Sequence, residues 1–95
     1  MAEEKLALRL RVHGKVQGVW YRGWSLEQAR ELGLDGWVRN RADGTVEAVV
    51  SGPAASVLEM VRRCRRGPTA ARVTMVVETP EAGLVEPGFR QLPTA

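Results

Sequence analysis

One cysteine, one histidine and two lysines are the whole stock of three residue types on which much enzyme chemistry depends. With Cys64 alone, neither an intrachain disulfide nor a multi-cysteine zinc site can form. His13 alone argues against a histidine-rich metal site. Any Ser-His-Asp relay would have to run through His13, which sits in an alternating apolar/polar run and reads as structural rather than as an acid–base group. No apolar run approaches the roughly 20 residues needed to span a bilayer. The opening "MAEEKLALRLRV" places acids before its first lysine and has no unbroken apolar stretch, so it is not a secretion signal, and the expected location is the cytoplasm.

What the chain does contain is ordinary for one globular domain, expected to span residues 1–95: 44% hydrophobic and 26% charged residues. That length is near the small end of what buries a self-sufficient core. The net charge is +3 and the pI about 9.8, and with only Lys5 and Lys15 as lysines, 12 of the 14 cations are arginines. Such a balance suits an anionic partner without choosing between a small phosphate and a nucleic acid.

Leu6, Leu8, Leu10 and Val12 alternate with Ala7, Arg9, Arg11 and His13, the period of a half-buried strand. Tyr21 to Leu32 reads as a helix with Ser25, Leu26, Ala29 and Leu32 on its packing stripe and Gly33 just past its end. "LDGWVRN" reads as a second strand, Asp43-Gly44 as hairpin chemistry, and Thr45 to Ser51 as a third strand. Pro53 suits the first turn of a second helix, whose Val57, Met60, Val61 and Cys64 recur at helical spacing up to Gly67-Pro68. Arg72 to Thr79 is a fourth strand with Val73, Met75 and Val77 expected on its inner face, and "FRQL" can add a short edge strand. The order β-α-β-β-α-β predicts an α+β, ferredoxin-like sandwich, an antiparallel sheet with both helices on one face. That architecture alone settles no function.

Between the first strand and the first helix lies "GKVQGVWYR". Gly14 and Gly18 remove side chains where the backbone must bend sharply or approach a ligand. Consecutive N–H groups of Lys15, Val16, Gln17, Gly18, Val19, Trp20 and Tyr21 can then point into one concavity, a nest suited to an oxyanion. The helix start adds unpaired N–H donors and the positive end of its dipole. Arg22 has a planar fork matching two phosphate oxygens. Taken alone, the stretch also fits a tight glycine turn with an exposed arginine, and it is no Walker loop, since no Gly-Lys-Ser/Thr follows. In "GWVRNRADGTVE", Asn40 closes the second strand, where asparagine is ordinarily a turn residue bonding its own backbone.

Together "GKVQGVWYR" and "GWVRNRADGTVE", with the flanking "LEQARELGLDGW", resemble the acylphosphatase family, and the likeness extends over most of the chain. The resemblance implies the ferredoxin-like fold and hydrolysis of carboxyl-phosphate anhydrides to a carboxylate and inorganic phosphate, without metal or cofactor. It places the catalytic arginine on Arg22, the catalytic asparagine on Asn40 and the phosphate-cradling backbone on Lys15 to Tyr21. The implied partners are a small acyl phosphate and inorganic phosphate or sulfate, with no nucleic acid and no membrane, and the chain is expected to be a monomer. The match departs at Trp20, where the family more often carries a smaller residue or Phe, and at Trp24. Both positions could reshape the acyl side of the pocket.

The motif lacks an obvious general acid or base, and this substrate class needs none. A carboxylate leaving group has a conjugate acid of pKa about 4 and departs unprotonated. A phosphomonoester leaves as a far more basic alkoxide and would want an acid or a metal. Two rival readings use other features. "VRRCRRG" gathers Arg62, Arg63, Arg65 and Arg66, and Trp20, Tyr21 and Trp24 could stack bases. RNA-binding domains of this architecture, however, carry stacking aromatics on the central strands, where this chain has Arg9, Arg11, Glu47 and Val49. A non-catalytic phospholigand sensor, or a module of a larger maturation enzyme, is the other, and the end of the chain at Ala95 weighs against the module. Cys64, on the apolar stripe, reads as a small core residue.

Overall fold

The computed structural model describes residues 4–95; Met1 to Glu3, which open the N-terminal segment read above, lie outside the described residues. The alternating run forms β1 (Lys5–Lys15), followed by α1 (Tyr21–Glu31), β2 (Asp35–Asn40), β3 (Val46–Pro53), α2 (Ala54–Arg66), β4 (Arg72–Pro80) and β5 (Phe89–Gln91). The sheet order is β4-β1-β3-β2-β5. Neighbouring strands are antiparallel except β5, which pairs parallel to β2. The expected antiparallel sheet is therefore mixed, because the chain crosses from β4 at one edge to β5 at the other before pairing. Pro53 ends β3 in extended geometry (φ −56°, ψ 136°) rather than opening the helix. No helix among the described residues is long and apolar enough to cross a membrane.

The period-2 pattern divides the sheet into two faces. Leu8, Leu10, Val12, Val38, Val46, Ala48 and Val50 are buried beneath the helices, where Ala29, Val57, Met60, Val61 and Cys64 meet them. Burying a side chain of this kind contributes about 1.5–3 kcal/mol, so this layer supplies the main drive for folding. β4 departs from expectation. Its register against β1 shifts between His13 and Gly14, which pair with Met75 and Val73, leaving Thr74 as an extra residue. Such a bulge reverses the side-chain alternation beyond it. Val73 and Val76 therefore pack on the core, while Met75 and Val77 are 51% and 42% exposed. Gly14 is required here: its φ is +119°, and a Cβ would lie 2.1 Å from the carbonyl oxygen of Arg72. The close approach is to the neighbouring strand, not to a ligand.

On the face without helices, Glu47 sits opposite Arg11 on one side and Arg39 on the other. The residue is 3% exposed, and its carboxylate receives Arg9 at 2.7 Å, Arg39 at 2.9 Å, Arg41 at 3.4 Å and Arg11 at 3.5 Å. Arg9 also reaches Glu81 at 2.9 Å. The guanidinium groups of Arg39 and Arg9 lie over the Trp37 ring, 4.8 and 5.5 Å from its centre. Burial opposes ionisation of Glu47, and the bonds from Arg39 and Arg9 overcome it, holding the carboxyl below its ordinary value of 4.5.

A carboxyl with a depressed folded-state pKa contributes stability above its unfolded pKa and loses it as pH falls through the folded one. Glu47→Gln is therefore expected to cost about 2 kcal/mol in urea melts at pH 7, and the gap to the parent should shrink steadily below about pH 4.5. A gap that stays constant down to pH 3 would contradict this role.

Candidate functional site

Five residues, 16–20, connect β1 to α1, and their backbone sets the site. Val16 is buried and anchors the loop in the core. Gly18 (φ +74°) and Trp20 (φ +64°) are left-handed, and Trp20 is the one non-glycine residue with positive φ among those described. Gln17, Val19 and Tyr21 stay on the negative side, so the sign of φ alternates through the loop. That alternation turns successive N–H groups toward one concavity. Holding a tryptophan left-handed costs on the order of 1–3 kcal/mol, which the surrounding structure must offset.

Trp20 is also the N-cap of α1, and it makes no side-chain capping bond. The first turn carries no acid. Helix starts are normally satisfied by a Ser, Thr, Asp or Asn oxygen; here the donors and the positive dipole end are left for something else. Beside them lies a cavity of about 190 Å³. Val16, Gln17, Gly18 and Trp20 line it from the loop, Tyr21, Arg22 and Gly23 from the helix, and Asn40 and Gln91 from the ends of β2 and β5.

The structure thus brings Arg22 and Asn40 to one hollow, with most of the expected cradle around them. Lys15 and Val19 are not in its lining. Lys15 ends β1 paired with Arg72, and Val19 packs against the core beside a neighbouring depression. His13 lies outside it as well, opposite Met75 on β4. Among the described residues, no three His, Cys, Asp or Glu side chains converge as metal ligands would.

Two side chains pin the site to the scaffold. Gln17 Nε2 donates to the carbonyl oxygens of Arg41 at 2.8 Å and Thr45 at 2.9 Å, which flank the hairpin loop that follows Asn40. That loop is closed by Asp43, whose Oδ1 accepts from the Thr45 hydroxyl at 2.6 Å and the Thr45 N–H at 3.0 Å. Those bonds hold the Asp43 carboxyl below its usual range. Tyr21 donates its hydroxyl to the buried carbonyl of Cys64 at 2.6 Å, fixing the start of α1 against α2. Burial, then the contact with Cys64, raises the Tyr21 pKa, keeping it a neutral donor. The Cys64 thiol is pushed up to about 11 by burial, as befits a core residue.

Two of the polar side chains lining the cavity, those of Arg22 and Asn40, are left nearly free. Arg22 has only a 3.5 Å contact to the carbonyl of Leu92, and no carboxylate within salt-bridge distance among the described residues. The Asn40 main-chain oxygen accepts from the N–H of Ala95 at 3.0 Å, while its carboxamide bonds no described residue. Sequence reasoning missed Gly23 and Gln91. A signal existed for Gly23, because a glycine inside a helix costs about 1 kcal/mol and calls for a reason. The reason is the Trp20 indole, whose Nε1 would stand 2.1 Å from a Cβ at that position.

The chain is similar to known proteins along most of its length. The family model described as acylphosphatase matches residues 8–90. An acylphosphatase of Rhizorhabdus wittichii is 59% identical over 96% of this chain and 92% of its own length. One from Rhodospirillum rubrum is 59% identical over 92% of this chain and 96% of its own. The crystal structure of acylphosphatase from Bacillus subtilis superposes with a TM-score of 0.86 at 33% identity, covering 92% of this chain and 98% of that one.

Because Gln17 couples the loop to the hairpin, Gln17→Ala should lower stability by about 1–2 kcal/mol in urea melts and weaken the binding of inorganic phosphate measured by calorimetry. Unchanged values of both would show that the tether is idle.

Proposed function

The chain belongs to the acylphosphatase family, and we propose that Arg22 and Asn40 carry out its reaction in the cavity between the β1–α1 loop and the end of β2. The reaction hydrolyses an acyl phosphate to a carboxylate and inorganic phosphate. The observation that carries the assignment is one small hollow holding an alternating-φ loop, an uncapped helix start, an arginine without a carboxylate and a carboxamide without a partner.

The phosphoryl group sits on the main-chain N–H groups of Val16, Gln17, Gly18, Trp20 and Tyr21 and in the fork of Arg22. These donors are in place before the reaction and offset charge that builds on the phosphoryl oxygens in the transition state. The Asn40 carboxamide orients a water in line with the bond to be broken. The water oxygen bonds to phosphorus, and the acyl C–O–P bridge breaks on the phosphorus side, its electron pair leaving with the carboxylate. The water's proton passes to a phosphoryl oxygen. An acyl phosphate dianion and water thus become a carboxylate and dihydrogen phosphate, with no protein base required. Val16 and Tyr21, locked into the core, keep the donors from following the ligand. The loop, the arginine and the asparagine all belong to one chain, which supports a monomer as the working unit. The central strands offer arginines locked on Glu47 in place of stacking aromatics, so no nucleic-acid partner is assigned.

Phosphate release from benzoyl phosphate in the presence of a chelator, with a phosphomonoester as control, tests the function. The acyl phosphate alone should turn over; equal hydrolysis of the monoester, or loss of activity with chelator, would refute the mechanism. Arg22→Lys keeps the charge and loses the fork, so kcat/KM should fall at least 100-fold, about 2.7 kcal/mol. Asn40→Ala should lose kcat to a similar degree while inorganic phosphate inhibits it as before. Parent-like turnover by Asn40→Ala would remove the water-orienting role.

A further inference from the structure

Trp20 lines two hollows: the phosphate cavity and an adjoining depression of about 430 Å³. Its indole is 62% exposed, an unusual placement for the largest apolar side chain, and it is held there by a left-handed backbone and by the absence of a Cβ on Gly23. Beyond it the depression is walled by Val19, Trp24, Pro68 and Ala70, and Arg66 lies on its rim. Arg66 differs from its neighbours in the arginine run. Arg62 and Arg63 are bonded to Glu59, Arg63 also to Glu31, and Arg65 to Glu78. Among the described residues no carboxylate engages Arg66. It ends α2 two residues after Cys64, whose carbonyl is tied to Tyr21 at the start of α1.

The phosphoryl end of a substrate occupies the loop amides and Arg22, and the water must come from the side of Asn40. The acyl group is left with the direction over Trp20. Along that path lie an aromatic platform and then a guanidinium with its charge unspent. We infer that Trp20 and Arg66 form an acyl subsite selecting acyl phosphates whose acyl chain carries a second anionic group at its far end. The inference rests on the assignment of the phosphoryl group to the adjoining cavity. Arg66 acts as a specificity residue: it touches the distal anion and not the reacting atoms. The recognised chemistry is an anion, either a carboxylate or a phosphoryl-type group.

The test compares kcat/KM for glutaryl monophosphate and 4-phosphonobutanoyl phosphate with that for pentanoyl phosphate, their neutral counterpart, using benzoyl phosphate as reference. The parent should favour the anionic substrates about fivefold, in line with a solvent-accessible charge pair. Arg66→Gln should abolish that preference and leave benzoyl and pentanoyl phosphate unchanged, and added salt should erode the preference in the parent only. Preference for just one of the two anionic substrates would identify which anion the subsite takes. Trp20→Asn, in which asparagine tolerates the left-handed backbone, should raise KM for benzoyl phosphate severalfold while inhibition by inorganic phosphate persists. Equal rates for charged and neutral substrates in the parent, or a preference that survives Arg66→Gln, would overturn the inference while leaving the family reaction intact. No turnover of benzoyl phosphate by the parent would instead bring down the site assignment and this inference together.

Discussion

A cradle of main-chain N–H groups holds an anion only if the protein denies those groups every partner of its own. Much of this structure follows from that requirement. The first turn of α1 has no acid, and its cap residue is a tryptophan that offers no oxygen. The alternating left-handed positions prevent the loop from closing into an ordinary turn with its own hydrogen bonds. Unpaired donors are costly when buried, at about 1–3 kcal/mol each, so the loop stays at the surface, where water or a ligand satisfies them. The N–H groups are thereby available, and the strain at Trp20 is the cost of arranging them.

The same logic governs the arginines. A chain with 12 of them could scatter phosphate over its whole surface. Instead the acids are distributed so that most guanidinium groups are occupied. Glu47 takes four on the open sheet face, and Glu59, Glu31 and Glu78 take three on α2. Arg22 keeps its fork for the cavity. Free cationic charge is concentrated less by adding arginines at the site than by quenching them elsewhere. The buried Glu47 cluster also fills the sheet face that an RNA-binding relative of this architecture would leave open for bases.

How far the sequence could be read depended on whether the relevant force was local. Strand and helix periods, the Gly33 and Gly44 turns, and the apolar stripe of α2 follow from neighbours along the chain, and all were legible. That Arg22 and Asn40 would meet in one hollow was legible only through the pairing of two motifs, because nothing local distinguishes Asn40 from a turn residue. Features set by contacts between distant segments were not. The bulge opposite Gly14 exists because β1 and β4 must stay in register around Thr74, and it reversed the expected inward face of Met75 and Val77. Gln17 reads as one more cradle residue, yet its side chain bridges 24 and 28 residues of sequence to the hairpin. Trp37 drew no attention in the sequence, although two arginines stack on it.

If Arg22 and Asn40 carry the reaction as proposed, the rigidity of the pins explains how a hydrolase can run with two polar side chains. Electrostatic catalysis depends on donors that do not reorganise when charge develops, and here each part of the site is tied to a different layer. Tyr21 fixes the helix start to α2, Gln17 fixes the loop to the hairpin, and the β2–β3 ladder fixes Asn40. Three tethers from three directions hold the loop, the arginine-bearing turn and the carboxamide at set separations. With an acidic leaving group that needs no proton, positioning is most of what remains to be supplied. On the proposed assignment a small domain suffices, because its core is spent on holding that geometry and the two side chains need no further catalytic group beside them.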